Sequence, residues 1–240
     1  MKILYLNCAR RLNSAKGETP QRKWLKDFVL KNDIDIICLA ESSNYDFSES
    51  LPEQFLKEFR WLAEETPLKT QGFKFNICSK LEVVYTPIDY GVRDELFDDD
   101  YAKVLVDYGK GTLISIKTVN LELVTVHIQH PGSKYAYSPY NIYYELGLRK
   151  LLKYMEDNKP IAVFGDFNNY PGDASFERIA SYYRNTNTDE NAYSYISGQG
   201  GKRFLIDHAF ALNENVKMGY IPALENGFDH NGMLITIEQP

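Results

Sequence analysis

The chain holds only four histidines, His127, His130, His208 and His230, and two of them directly follow an aspartate. These pairs stand in Leu205-Ile206-Asp207-His208 and in Phe228-Asp229-His230. An imidazole beside a carboxylate is held in one tautomer and is poised to bind or protonate a phosphate oxygen. A second polar group is Gly165-Asp166-Phe167-Asn168. Asp166 can accept a proton, and Asn168 can donate two hydrogen bonds to an oxyanion. Glu41, Asp166, Asp207 and Asp229 supply four carboxylates, each in or beside an apolar run. Carboxylates sharing a small site repel one another unless a hard cation sits among them. Oxygen and amide ligands without cysteine favour Mg²⁺ or Mn²⁺ over zinc. The chemistry such a set suits is binding a hard cation and moving a proton to or from a phosphate oxygen.

The elements that must position these groups follow from periodicity. Residues 161–164 are a short apolar run closed by Gly165, the pattern of a central strand in an α/β sheet. Polar groups just past the carboxyl end of such a strand are where ligands sit. A two-residue offset along an extended chain places Asp166 and Asn168 on one face, with Phe167 pointing into the core. Pro171-Gly172 then turns the chain. Near the N-terminus, residues 2–6 read as a strand ending at Asn7. Thr19-Pro20 starts a helix that runs to about residue 31, with Trp24, Leu25, Phe28 and Val29 at helical spacing. Residues 34–40 are a second strand ending at Glu41. Strand, helix, strand reads as a parallel βαβ unit, which brings Asn7 and Glu41 to one sheet edge.

Further along, a polar loop over 42–51 precedes an expected helix over 52–64. Strands are expected over 73–79, 81–86, 104–106, 112–119 and 121–128, the last ending near His127 and His130. The acidic stretch 85–103 reads as a solvated loop. A tyrosine-rich segment leads into a helix from Ser138-Pro139 to about residue 157. A helix over 174–183 is followed by an Asn- and Gly-rich loop over 184–201, read as mobile. Segments 204–206 and 209–212 flank Asp207-His208, and residues 233–237 form the last strand. No repeat or linker divides the chain, so residues 1–240 read as one domain.

Composition narrows the function. The 240 residues are 44% hydrophobic, enough for a packed core. No run of 18 apolar residues exists, so no transmembrane helix is expected. The segment Met1-Lys2-Ile3-Leu4-Tyr5-Leu6 reads as a first strand, not a signal peptide. Cys8, Cys38 and Cys78 lie in or beside apolar runs without metal-like spacing, as expected of free thiols in a cytoplasmic protein. The net charge of −6 argues against bulk electrostatic capture of nucleic acid. It suits a site that gathers carboxylates around a metal.

The ordered set LYLNCAR, DIICLAE, FNICSK, LVTVHIQHP, VFGDFNNYPGD, FLIDHAF and GFDHNGML resembles the endonuclease/exonuclease/phosphatase superfamily. Its members include pancreatic deoxyribonuclease, exonuclease III-type repair enzymes, neutral sphingomyelinases and inositol polyphosphate 5-phosphatases. The resemblance runs from residue 2 to about residue 237. It implies a four-layer α/β sandwich, two mixed sheets face to face with helices outside. It further implies that Glu41 is the principal metal ligand, with Asn7 beside it contacting metal or phosphate. Asp229 resembles a further metal-site carboxylate. Asp166 matches the group that orients or deprotonates the attacking water, and Asn168 a transition-state hydrogen-bond donor. His230 resembles the catalytic histidine, oriented by Asp207, and either Asp166 or His230 can serve as base. His127 matches a phosphate ligand or general acid.

Departures from the family pattern are specific. Phe228 stands where serine usually precedes the last Asp-His, and Asn231-Gly232 follows. Ala40 replaces the usual glutamine before Glu41. His127 stands where abasic-site repair enzymes tend to have tyrosine. His130 and His208 match no catalytic role, and Lys80 and Arg93 are the candidates for a phosphate-binding cation. The resulting expectation is a Mg²⁺- or Mn²⁺-dependent phosphodiesterase, foremost a monomeric nuclease acting on DNA or RNA. The alternatives are hydrolysis of a small-molecule, nucleotide or lipid-headgroup phosphate, and a non-catalytic binding protein. Arg10, Arg11, Lys16, Arg22 and Lys23 form a basic stretch that could meet a nucleic-acid backbone.

Overall fold

A computed structural model describes residues 1–9, 19–42, 62–63, 75–88, 112–128, 130, 139–187, 189, 191–197 and 201–238. The first sheet joins β1 (Lys2–Asn7), β2 (Ile36–Ala40), β3 (Leu62–Ala63), β4 (Asn76–Ser79), β13 (Val216–Ile221) and β14 (Gly232–Ile237), in the order β13-β14-β1-β2-β4-β3. The second joins β5 (Val84–Pro87), β6 (Thr112–Lys117), β7 (Glu122–His127), β8 (Ala162–Asp166), β9 (Arg184–Asn185) and β12 (Asp207–Ala211), in the order β5-β6-β7-β8-β12-β9. A short hairpin, β10 (Tyr195–Ile196) with β11 (Arg203–Phe204), stands apart. Three helices are described: α1 (Pro20–Asn32), α2 (Pro139–Asn158) and α3 (Ala174–Ala180).

Period-two alternation explains why the sheets stack. In β1, Ile3 and Tyr5 enter a core shared with Ile114, Ile116, Leu123, Ala162 and Phe164 of the second sheet. Leu4 and Leu6 point the other way, against Leu25 and Val29 of α1. In β8, Ala162 and Phe164 face the shared core, whereas Val163 packs outward with Leu148, Leu151 and Met155 of α2 and with Phe176 and Ile179 of α3. Strands apolar on both faces must be covered on both faces. The result is helix, sheet, sheet, helix, the four layers that the resemblance implies.

Two local devices aim strand ends. The hydroxyl of Thr19 accepts from the Arg22 amide at 3.3 Å and caps α1. This helix returns the chain so that β2 lies parallel to β1, with Asn7 opposite Ala40. Gly165 has φ +146°, and a Cβ there would lie 1.9 Å from the Val126 carbonyl oxygen. Only glycine lets β8 approach β7 this closely.

Several expected elements differ. Residues 62–63 pair with β4 as a strand, where a helix over 52–64 was expected; the remainder of that segment lies outside the described residues. Residues 184–201 are not one plain loop. Arg184–Asn185 adds an edge strand beside β12, and Tyr195–Ile196 pairs with β11. Strand β13 has no counterpart in the sequence reading, because Val216, Met218 and Tyr220 alternate with Lys217 and Gly219 too weakly to stand out. The expected strand over 104–106 and the tyrosines over 135–143 lie outside the side chains described.

Candidate active site

Parallel strands β1, β2, β7 and β8 all present their carboxyl ends at one rim of the stacked sheets. Antiparallel β12 and β14 present their beginnings at the same rim. Residues Asn7, Glu41, His127 and Asp166 therefore arrive from four strand ends. Asp207 and the pair Asp229-His230 arrive from two strand starts. Glu41, His127, Asp166, Asp229 and His230 border an open cleft of about 490 Å³, ample for a nucleotide-sized ligand, with Asn7 and Asp207 fully buried behind them.

Asn7 is the bridge between carboxylates. Its Nδ2 donates to Glu41 Oε1 at 3.2 Å and to Asp166 Oδ2 at 3.1 Å. Its Oδ1 accepts the Ala9 amide at 3.0 Å, so the amide oxygen is turned away from both carboxylates. His127 Nε2 lies 3.3 Å from Glu41 Oε1. Across the cleft, His230 Nδ1 donates to Asp207 Oδ2 at 2.8 Å, and Asp207 is fully buried. That bond presents the other ring nitrogen for chemistry.

Asn168 reaches the cleft by a turn. Its φ is +50°, left-handed, and its amide donates to Asp166 Oδ1 at 2.9 Å. The Asn168 Nδ2 donates to the Ile128 carbonyl at 2.8 Å. Both residues line the cleft and Phe167 is buried on the outer side, as the offset argument expects, but the chain curls instead of extending. Glu41 also has φ +50°. Non-glycine residues in this region are strained and cluster at functional sites.

Electrostatics separates the groups. Burial raises Asp166, and the neighbouring Asp207 charge raises it further, to about 7. Burial opposes charge on His230, yet the Asp207 carboxylate outweighs it and lifts the imidazole to about 9. Burial also works against the Glu41 carboxylate and the His127 imidazolium. Their mutual hydrogen bond prevails, holding Glu41 below and His127 above the ordinary ranges. At neutral pH the cleft thus holds a proton-sharing Asp166, a cationic His230 and an ionised Glu41.

The other sequence candidates separate from this cluster. His130 is exposed on the cleft rim. His208 points away, into a nest of Phe167, Phe176 and Phe210, with Nε2 at 3.0 Å from the Asn169 carbonyl. Lys80 pairs with Asp33 at 2.7 Å near the start of β2, the end of that strand remote from Glu41. Arg93, with Arg10, Arg11 and Lys16, lies outside the described residues, and Arg22 is buried in α1.

The structure adds residues that the sequence reading lacked. Ser194 is fully buried, and its hydroxyl accepts from the Ile206 and Asp207 amides at 3.0 and 2.9 Å. Its carbonyl accepts the Asn231 amide at 2.6 Å. Ser194 thereby ties the strand bearing Asp207 to the loop bearing His230. Tyr195 packs against the His230 ring, tilted by 38° with 4.7 Å between centroids. Phe204 lies 6.1 Å from Tyr195 and 5.7 Å from Tyr170, completing an aromatic wall. Nothing in the sequence marks these residues beyond aromatic content, because long-range pairing brings them together.

Similarity to known proteins agrees with this arrangement. No curated protein matches the sequence. Among solved structures, Danio rerio TDP2 complexed with a single-strand DNA product superposes with TM-score 0.69 at 13% identity, covering 100% of this chain and 99% of that one. A 3′-5′ exonuclease from Neisseria meningitidis gives TM-score 0.66 at 15% identity, over 100% of both chains. An AP endonuclease from Archaeoglobus fulgidus gives 0.64 at 16% identity, again over 100% of both. At such identities these likenesses show the fold. The Endonuclease/Exonuclease/phosphatase family model matches residues 4–215, and with that match over most of its length the chain belongs to this family.

Proposed function

We propose that the protein is a divalent-metal-dependent nuclease, hydrolysing DNA or RNA phosphodiester bonds by attack of water on phosphorus. The observation that carries this reading is one cleft lined by Glu41, Asp166 and His230, in which buried Asn7 links the two carboxylates from behind and buried Asp207 holds the imidazole. Six strand termini converge to build it.

The donor set suits a hard cation. Glu41 and Asp229 line the open cleft as carboxylates, with no cysteine beside them among the described lining residues. Asp166, Asp207 and His230 also group within 4.8 Å of one another. We assign that trio to proton chemistry, because His230 Nδ1 spends its hydrogen on Asp207 and offers no lone pair there. Glu41 and Asp229 would hold Mg²⁺ or Mn²⁺. Asn7 would position Glu41 through its nitrogen, since its oxygen serves Ala9. The ion, when bound, supplies positive charge against the charge that develops on phosphate.

The protein's own groups then divide the work. Asp166, raised to about 7, takes the proton of the attacking water near neutral pH. Asn168 has a second Nδ2 hydrogen beyond the one given to Ile128, and donates it to a non-bridging oxygen. The imidazolium of His230 stabilises the pentacoordinate phosphorus. His127, whose charged form Glu41 favours, protonates the leaving oxygen as its bond to phosphorus breaks. The wall of Tyr170, Phe204 and Tyr195 favours a nucleic-acid substrate over a small alkyl phosphate, because bases stack on such rings.

The deciding experiment is a Mg²⁺ and Mn²⁺ activity screen on plasmid DNA, single-stranded DNA, RNA and bis-nitrophenyl phosphate, with and without EDTA. Turnover of a polynucleotide that EDTA abolishes is expected, together with loss of metal affinity in Glu41→Gln by calorimetry. Turnover confined to bis-nitrophenyl phosphate would favour the small-phosphoester reading. No hydrolysis of any of the four would remove the proposal.

A further inference from the structure

Tyr5 lies outside the cleft, yet it touches the residue on which the proposed chemistry turns. The side chain is fully buried between the sheets, and its ring packs on Phe75 and Phe164 at 6.2 Å each. A tyrosine of β1 belongs to the first sheet, but its hydroxyl is used by the second. The Asp166 amide donates to the Tyr5 oxygen at 2.9 Å. The same hydroxyl donates to the Val126 carbonyl at 3.4 Å. One oxygen thus joins β8 at Asp166 to β7 one residue before His127.

The surroundings explain why a hydroxyl stands there. The Asp166 amide is buried, and a buried N–H without an acceptor is destabilising. The Phe167 amide already goes to the Ile206 carbonyl, just ahead of β12 on the other side. Gly165 brings β8 close to the Val126 carbonyl, so no bulkier residue of β8 fits between the two strands. Alternation along β1 aligns Tyr5 with Asn7, two residues on and on the same face. Tyr5 therefore grips the backbone of Asp166 while Asn7 grips its carboxylate at 3.1 Å. Burial pushes the phenol far above its ordinary range, so it stays protonated and keeps its donor hydrogen.

We propose that Tyr5 is a positioning residue, whose hydroxyl keys the two sheets together at Asp166 and sets that carboxylate's place relative to His127 and Asn7. The part played in turnover rests on the nuclease reading; the keying itself does not. A misplacement of about 1 Å can cost a hundredfold in rate. Tyr5→Phe keeps the ring and deletes only the bridging oxygen. It should lower kcat about tenfold to a hundredfold while KM stays within about twofold. Phe75→Leu loosens the same packing without touching the hydroxyl, and should lower the melting temperature while sparing kcat per folded molecule. In an Asp166→Asn background, Tyr5→Phe should change the residual rate by less than about twofold, because groups acting as one unit are not additive.

A second measurement needs no turnover. Hydrogen exchange by NMR should place the Asp166 amide of the wild type among the slowest in the chain. In Tyr5→Phe it should exchange about tenfold faster relative to the Phe164 amide. An Asp166 amide that exchanges like a surface amide in the wild type overturns the proposal, whatever the variants do. A Tyr5→Phe enzyme with unchanged kcat, or with effects that multiply with Asp166→Asn, overturns it as well. If the wild type hydrolyses no phosphodiester while the Asp166 amide behaves as expected, the nuclease reading fails and the keying stands.

Discussion

Two Asp-His dipeptides, 207–208 and 229–230, are identical in sequence and opposite in structure. Asp207-His208 opens β12, where successive side chains face opposite sides. Asp207 turns to the cleft side and His208 turns outward into the phenylalanine nest. Burial there holds His208 neutral and lowers it to about 4. Asp229-His230 precedes β14 in a turn, and both residues line the cleft. The hydrogen-bonded pair is formed across the dipeptides, between Asp207 of one and His230 of the other. A shared dipeptide thus carries no fixed meaning: backbone geometry decides which member faces the cleft, and sheet packing decides its partner.

The sharpest way to break the comparison is to exchange the histidines' expected importance. His230→Gln should reduce kcat by about 10²–10⁴, as for other positioned acid–base groups, with the fold intact by circular dichroism. Comparable turnover in His230→Gln and wild type would dissolve the distinction between the two pairs.

Asp207→Asn tests the crossed partnership. Without the carboxylate, the His230 imidazole should titrate well below about 9, as followed by NMR, and kcat should fall by about tenfold or more. The linkage has a definite sign. His230 is raised in the fold, so its stabilising share is complete below 6.5 and vanishes as pH rises through about 9. Asp207→Asn should flatten that part of the melting-temperature profile. A profile identical to wild type above pH 7 would refute the pairing.

Tyr170→Ala probes the wall beside His230. Its removal should weaken oligonucleotide binding about tenfold, within the range for one stacked base, and leave kcat near wild type. Equal affinity for an oligonucleotide in both proteins would assign the wall to packing alone.

The smallest effect belongs to His208. His208→Phe should retain turnover and cost about 1 kcal/mol through the lost bond to Asn169. Its sign is the reverse of that for His230. His208 is lowered in the fold, so its share is complete above 6.5 and is lost as pH falls through about 4. The difference between wild-type and variant melting temperatures should shrink across that acid window. A loss of turnover rivalling His230→Gln would overturn the contrast.

Much of this molecule was legible from residues alone, wherever a rule is local. Alternation and capping marked β1, α1 and β2, and the βαβ rule brought Asn7 beside Glu41, now 3.2 Å apart. The glycine ahead of Asp166 announced a strand end, and its reason, the 1.9 Å approach to Val126, is a property of that one position. Segment 184–201 shows where legibility stopped. Its polar composition suggested a loop, yet Ser194 and Tyr195 are pinned between β12 and the His230 turn by pairings that span 12 to 37 residues. Short two-residue strands have no periodicity to read, because their stability comes from partners and not from their own pattern.

The sequence by itself determined which polar residues stand at which strand ends, because side-chain type and period-two alternation are local properties. The family resemblance already paired Asp207 with His230, now 2.8 Å apart; only the tertiary structure decided that Ser194 braces that pair and that Tyr5 of one sheet holds Asp166 of the other. Each depends on how two sheets stack face to face, which no single segment encodes. A hydrogen bond such as that between Tyr5 and Asp166, 161 residues apart in the chain, exists only after that packing is complete.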